Sequence, residues 1–209
     1  MGLIELPFLL TASRFLLGPA YVVSIAWLAS RTGLGSPSSW ARLLEAGAGT
    51  TPSLVAAATP LIIATLASLS DFVDGRLARR LGTASPTGAA LDVAADALFL
   101  LLALSALAAA GLVSWLLPVA AVAALSALAL RWRRRPPRGD AAPRAFADRI
   151  GHWAGIVNYG AVLVASGVPL GWIAPEWLPG ASRLVALLNL APIALHALGR
   201  RRRSGREHP

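Results

Sequence analysis

The sequence predicts an all-α integral membrane protein with six transmembrane helices. Apolar residues make up 56% of the 209-residue chain, and the mean hydropathy is +0.63. Apolar segments of about 20 residues, each long enough to cross a hydrocarbon layer of ~30 Å as a helix, recur along the whole chain. A chain with this apolar a composition has too few polar residues to cover the surface of a soluble globular protein. We therefore expect residues 1–209 to form a single polytopic domain.

Six candidate spans lie between short segments rich in Gly, Pro or charged residues. In chain order they cover residues 8–30, 52–74, 87–110, 112–131, 150–170 and 181–199. The weakest break is at Gly111, because the sequence on either side of it is almost continuously apolar. Only the excessive length of that stretch for one span predicts a hairpin there. An arrangement with five spans therefore stays open.

Arginine is distributed unevenly between the two ends of these spans. The chain has 19 Lys and Arg residues, and all of them are Arg. One end holds most of them: Arg76, Arg79, Arg80, Arg131, Arg133, Arg134, Arg135, Arg138, Arg144, Arg149, Arg200, Arg201, Arg202, Arg203 and Arg206. The other end holds Arg31, Arg42 and Arg183. The positive-inside rule places the arginine-rich end in the cytoplasm, together with both termini and the basic tail at 200–209. Membrane topology thus explains the net charge of +9 without a nucleic-acid partner.

Four of the ten acidic residues lie at the facing ends of the second and third spans. Asp71 and Asp74 are three residues apart near the end of one span, and Asp92 and Asp96 are four apart near the start of the next. These spacings place each pair on one face of its helix. We expect the two helices, running antiparallel, to bring the four carboxylates together just below the cytoplasmic surface.

Such a cluster needs a counter-charge, because like charges repel and an ionised carboxylate is costly to hold at membrane depth. A divalent cation removes both objections. The chain has no cysteine, so a metal must be bound by oxygen atoms or by one of three histidines. All-carboxylate ligation predicts Mg²⁺ or Mn²⁺, and four carboxylates are enough to hold two ions.

Small residues and arginines between the two acidic pairs indicate what the metal would meet. Gly75, Ala78 and Gly88 leave the backbone bare, so that a bulky ligand can approach. Arg79 and Arg80 supply fork-shaped donors for a phosphate group. Metal, bare backbone and arginine together indicate a ligand that contains pyrophosphate.

These residues match the signature D-x2-D-G-x2-A-R-x8-G-x3-D-x3-D, and on that basis the chain resembles the CDP-alcohol phosphotransferases. The matching residues are Asp71, Asp74, Gly75, Ala78, Arg79, Gly88, Asp92 and Asp96. The signature lies between two membrane spans, as it does in that family. The segment LLTASRFLLGP at 9–19 is similar to the family's opening LTxxR…P segment.

The resemblance implies a reaction in which an acceptor hydroxyl attacks the phosphorus of a CDP-linked alcohol, usually CDP-diacylglycerol, and CMP is released. It implies that Asp71, Asp74 and Asp92 bind the metal ions, and that Asp96 shares a metal and acts as the general base. The residues implied in the CDP site are Asp74, Gly75, Ala78, Arg79 and Gly88. The family also implies a homodimer.

The acceptor is less well determined by the sequence. The segment GHWAGIVN is similar to the GKxxTxxQ stretch of phosphatidylglycerophosphate synthases, with His152, Gly155 and Asn158 in place of Lys, Thr and Gln. Arg131 and Arg149, at the cytoplasmic ends of the fourth and fifth spans, suit a phosphorylated acceptor such as glycerol-3-phosphate or inositol phosphate. Both arginines are also explained as positive-inside anchors.

Two other classes of function stay open at this point. Buried carboxylates also occur in cation transporters and proton-coupled antiporters, which place them near the bilayer midplane. A noncatalytic lipid-binding scaffold is the third reading. Arg14 is compatible with snorkelling to the surface or with a ligand role in the site. The exclusive use of Arg over Lys favours a GC-rich bacterial source, and hence a site on the cytoplasmic face of a bacterial cell membrane.

Overall fold

The structure is a computed structural model that describes residues 6–32, 53–81, 86–134 and 146–204. Within these four ranges the chain is helical apart from short turns, and no β-strand occurs. The all-α fold class is therefore confirmed for the described residues.

Six α-helices form the described part of the fold. They are α1 (Leu6–Thr32), α2 (Leu54–Leu81), α3 (Pro86–Ala109), α4 (Leu116–Arg134), α5 (Phe146–Ser166) and α6 (Leu178–Ser204). Two 3-10 turns, at Val168–Leu170 and Pro175–Trp177, lie between α5 and α6.

Three of these helices are long and apolar enough to cross a membrane. Their apolar spans are Leu9–Arg31 in α1, Leu54–Val73 in α2 and Ala90–Ala109 in α3. Two shorter apolar helical segments, Leu116–Ala127 and Gly155–Leu170, follow in the second half of the chain. These helices indicate a membrane protein. That all six cross the membrane, and that both termini are cytoplasmic, stays a prediction.

Several helix ends differ from the ends of the predicted spans. Helix α2 continues to Leu81, past the predicted end of its span at residue 74, because the charged signature residues prolong the helix beyond its apolar part. The predicted fifth span, 150–170, divides into the end of α5 at Ser166 and a 3-10 turn. Residues 205–209 of the predicted basic tail lie outside the described residues.

The predicted break at Gly111 is confirmed. Helix α3 ends there in a Schellman motif, in which the Gly111 N–H donates to Ala108 O at 3.0 Å and the Leu112 N–H to Leu107 O at 2.9 Å. Gly111 has a φ of 74°, a left-handed conformation that glycine adopts without steric cost. This turn lets α4 pack back against α3 as a hairpin.

Helix α1 is the centre of the arrangement that carries the site. It packs closely against both α2 and α3, whereas α2 and α3 make little direct contact with each other. The approach of α1 to α3 is tightest at Gly18, where a Cβ atom would lie 2.9 Å from Leu102 Cδ1 and 3.7 Å from Phe99 Cα. Asp71 is therefore brought close to Asp92 and Asp96 across α1. The sequence had instead predicted direct packing of α2 on α3.

The second half of the bundle is built around α6. Helices α4 and α5 both pack on α6, and α5 also contacts α2 and α3. The buried Asn158 and Asn189 side chains donate to each other's carbonyl oxygens, at 3.1 and 3.0 Å, and so join α5 to α6. These contacts position α5 beside the acidic residues of α2 and α3.

Candidate active site

Three of the four predicted metal ligands converge between α2 and α3. Asp71, Asp92 and Asp96 each offer one carboxylate oxygen, and these oxygens lie within 4.8 Å of one another. Opposite ligands of Mg²⁺, at ~2.1 Å from the ion, are about 4.2 Å apart, so little adjustment is needed for two or three of these oxygens to share a dication. The oxygen donors and their spacing fit a hard divalent metal.

The carboxylates lie close to one end of the apolar spans. Asp71 comes two residues before the end of the α2 span at Val73, and Asp92 two residues after the start of the α3 span at Ala90. The side chains of Asp71, Asp92 and Asp96 are 39%, 31% and 26% exposed. The site is thus open enough for a polar ligand to enter, and it lies on the arginine-rich side of the predicted topology.

A buried arginine from α1 lies against all three carboxylates. Arg14 is 0% exposed, and its Nη1 donates to Asp71 Oδ1 at 3.2 Å. The same guanidinium makes close ion pairs with Asp92 through Nη2 and with Asp96 through Nη1. Snorkelling to the surface is therefore wrong for Arg14. Its positive charge offsets part of the repulsion within the cluster.

Two hydroxyl groups also contact the cluster. Thr11, three residues before Arg14 and so on the same face of α1, donates to Asp92 Oδ1 at 3.4 Å. From α5, Tyr159 donates its hydroxyl to Asp96 Oδ1 at 2.9 Å. Four helices therefore contribute to the site.

The ring of Tyr159 is held by an aromatic stack. It lies parallel to the ring of Phe99, with centroids 5.8 Å apart, and Phe99 is fully buried. Phe99 follows Asp96 by three residues, so the two residues of α3 that contact Tyr159 lie on the same face of that helix. This packing limits the positions that the Tyr159 hydroxyl can take relative to Asp96.

Several predicted site residues can be placed only by their backbone. Asp74, Gly75, Ala78 and Arg79 are in the last turns of α2, and Arg131, Arg149 and His152 are in α4 and α5, but their side chains lie outside the described part of the chain. Gly88 is exposed in the first turn of α3. Metal binding by Asp74, the CDP site and the acceptor site therefore stay predictions.

The sequence did not single out Thr11 and Tyr159, and it left the role of Arg14 open. The LTxxR-like segment could have indicated that α1 contributes to the site, since it places Thr11 and Arg14 three residues apart, on one face of the helix. Tyr159 had no comparable signal, because it is 63 residues from its partner Asp96.

The sequence profile of the CDP-alcohol phosphatidyltransferase family matches residues 4–190, nearly the whole chain. Comparison with curated proteins and with solved structures finds no match. The matched region includes each helix segment that contributes to the cluster, and the match gives no support to a cation transporter or antiporter. The chain therefore belongs to the CDP-alcohol phosphatidyltransferase family, as a membrane enzyme of phospholipid biosynthesis that transfers a phosphatidyl group from a CDP-alcohol.

Proposed function

We propose that this enzyme transfers the phosphatidyl group of CDP-diacylglycerol to a hydroxyl of a small polyol or polyol phosphate and releases CMP. The observation that carries the proposal is the cluster of Asp71, Asp92 and Asp96, whose oxygens lie within 4.8 Å of one another beside the end of two apolar spans. A lipid-linked diphosphate would meet the cluster there, with its acyl chains in the bilayer and its nucleotide toward the cytoplasm.

The proposed cofactor is Mg²⁺ or Mn²⁺, with two ions held by Asp71, Asp74, Asp92 and Asp96. Carboxylate oxygens are the ligands that these hard ions prefer. When bound, such ions would offset the negative charge of the diphosphate and of the leaving CMP.

Asp96 is the proposed general base. As the acceptor oxygen forms its bond to the phosphorus that carries the diacylglycerol, the bond from that phosphorus to the oxygen of the CMP phosphate breaks. The proton of the acceptor hydroxyl passes to the Asp96 carboxylate. Because Tyr159 and Arg14 both donate to Asp96 Oδ1, they fix the carboxylate and leave Oδ2 for the incoming proton.

The remaining binding roles follow from the family signature. We assign the CDP moiety to the segment that begins at Asp74 and includes Gly75, Ala78 and Arg79, together with Gly88 at the start of α3. Small residues there allow the nucleotide to approach the backbone, and a guanidinium can pair with a phosphate through two parallel bonds.

The proposed acceptor is glycerol-3-phosphate or inositol phosphate. Arg131 and Arg149 would bind its phosphate from the ends of α4 and α5, on the same side of the bundle as the cluster. We further propose six membrane spans, an active site facing the cytoplasm of a bacterial cell, and a homodimer.

The test is to incubate the purified protein with CDP-diacylglycerol, Mg²⁺ or Mn²⁺, and a panel of polyols and polyol phosphates, and to measure CMP. We expect CMP and a new phospholipid in equal amounts with one class of acceptor, and neither product after the metal is chelated. Release of CMP with no acceptor dependence, or no release with any acceptor, would contradict the proposal.

The variant Asp96→Asn separates an enzyme from a noncatalytic lipid-binding scaffold. Loss of a general base lowers turnover by about 10²- to 10⁴-fold. We expect that loss in CMP release, with helical content and CDP binding largely retained. A scaffold would keep its biological activity in a complementation assay with this variant.

A further inference from the structure

Arg14 lies where the three described carboxylates meet, although it belongs to neither of the helices that carry them. Its partners are 57 to 82 residues away in the chain, on α2 and α3. Nη1 contacts Asp71 and Asp96, and Nη2 contacts Asp92, so one guanidinium joins all three. The planar, fork-shaped group is suited to several simultaneous contacts, which a lysine ammonium cannot reproduce.

The helices that carry the carboxylates make little direct contact with each other. Helix α2 packs chiefly against α1, and so does α3. Three carboxylates within 4.8 Å repel one another when no cation is present. Without Arg14 that repulsion would act between two helices that make little direct contact.

Burial distinguishes Arg14 from the carboxylates that it contacts. Arg14 is 0% exposed, whereas the three aspartates are between 26% and 39% exposed. A guanidinium in that position has no open path to solvent. Its described bonds to the cluster, and those of Thr11 and Tyr159, all end on Oδ1 atoms. The partly exposed aspartates can therefore meet a ligand that arrives from outside, whereas Arg14 cannot.

We propose that Arg14 is a positioning residue that assembles the carboxylate cluster before any metal is bound and remains in place when metal binds. It ties Asp71 of α2 to Asp92 and Asp96 of α3 through α1. Its catalytic consequence rests on the proposed transferase mechanism, but the assembly itself is independent of it.

The assembly is tested by measuring the distance between α2 and α3 in metal-free protein. The chain has no cysteine, so spin labels can be attached at Leu69→Cys and Leu98→Cys, two exposed positions close to the cluster, without background. We expect a narrow distance distribution in the otherwise native protein in the presence of a chelator. Arg14→Gln should broaden it and shift it to longer distances, and added Mg²⁺ should narrow it again.

Two further variants complete the distance measurement. Arg14→Lys keeps the positive charge but lacks the fork-shaped guanidinium, and we expect it to broaden the distance distribution less than Arg14→Gln does. If Arg14→Gln does not fold, Arg14→Lys is used in its place. Arg31→Gln removes the same charge from the other end of α1, where Arg31 stacks over Trp27, and should leave the distribution unchanged. An unchanged distribution in both Arg14 variants would overturn the proposal.

The metal dependence of turnover gives a second readout. Loss of a group that orients metal ligands weakens metal binding by about 10- to 100-fold. We expect Arg14→Gln to raise the Mg²⁺ concentration for half-maximal CMP release by that factor. At saturating Mg²⁺ we also expect kcat to fall by about tenfold, because Arg14, like Tyr159, donates to Asp96. A lower Mg²⁺ requirement would mean that Arg14 only occupies the position of the metal, which contradicts the proposal. If wild-type protein releases no CMP, the transferase mechanism fails, and the distance measurement still decides the role of Arg14.

Discussion

The two tyrosines of the chain, Tyr159 and Tyr21, both pack against the buried ring of Phe99, but their hydroxyl groups have different hydrogen-bond partners. Tyr159 stacks on Phe99 and donates to Asp96, whereas Tyr21 meets Phe99 edge-on and its hydroxyl lies 2.7 Å from Ser166 Oγ. Only the first hydroxyl reaches the carboxylate cluster. The pair therefore allows the effect of orienting Asp96 to be separated from the effect of losing one buried hydrogen bond.

Removing the Tyr159 hydroxyl should slow the reaction. A hydrogen bond to a charged group contributes about 1.5–3 kcal/mol, so Tyr159→Phe leaves Asp96 less firmly oriented. We expect kcat to fall by about tenfold, since ~1.4 kcal/mol corresponds to that factor, while KM for the CDP-alcohol changes little. Steady-state CMP release at saturating metal and acceptor measures both constants.

Tyr21→Phe is the matched control. It removes a neutral hydrogen bond that contributes about 1 kcal/mol, so the melting temperature should fall while kcat per folded molecule is retained. Equal losses of kcat in the two variants would show that Tyr159 acts only through stability.

Residues of the site differ in how far the sequence alone predicts them. The positions of Asp71, Asp92 and Asp96 could be predicted because spacings of three and four residues fix one helix face. The contacts of Arg14 and Tyr159 could not, since each depends on helices that are distant in sequence and meet only in the packed bundle. The acidic cluster was predictable, and the groups that orient it were not.

At the scale of helices, the close approach of α1 to α3 sets the position of Arg14. Gly18 is one turn after Arg14, and its missing side chain allows α1 to lie against Phe99 and Leu102 of α3. Small residues at such contacts are a general means of close packing between membrane helices. The same contact keeps Arg14 within reach of Asp92 and Asp96.

Filling that contact should destabilise the protein and weaken the site. Gly18→Leu inserts a branched side chain where even a Cβ atom lies 2.9 Å from Leu102, and overpacking of this kind costs about 1–3 kcal/mol. We expect a lower melting temperature in detergent and reduced CMP release. Gly180→Leu is the control, because nothing lies within 4 Å of a Cβ atom there. A melting temperature unchanged in Gly18→Leu would contradict the close packing of α1 on α3.

Helix positions were predicted better than helix ends. Hydropathy located the apolar parts of α1, α2 and α3, and length alone required the turn at Gly111. Hydropathy did not predict that α2 would continue to Leu81. A membrane span ends where polar residues begin, whereas a helix continues as long as its backbone hydrogen bonds do. The packing of α1 between α2 and α3 left no periodic signal in the sequence.

At the scale of the whole molecule, the acidic cluster lies at one end of the bundle. The start of α1, the end of α2 and the start of α3 meet at the cluster. The predicted topology places the arginine-rich segments on the same side of the membrane. At the other end, Trp172 and Trp177 are 70% and 78% exposed beside the turns that join α5 to α6. Exposed tryptophans of this kind are typical of a membrane interface.

This polarity predicts which side of the membrane each end faces. Because the chain has no cysteine, single variants Glu5→Cys, Trp172→Cys and Ser204→Cys can be labelled with a membrane-impermeant maleimide in intact bacterial cells. We expect label at Trp172→Cys without treatment, and at Glu5→Cys and Ser204→Cys only after the cells are permeabilised, since arginine-rich segments stay in the cytoplasm. The cysteine-free parent gives the background. Label on opposite sides for Glu5→Cys and Ser204→Cys would require an odd number of spans, because only an even number returns the chain to the side on which it began.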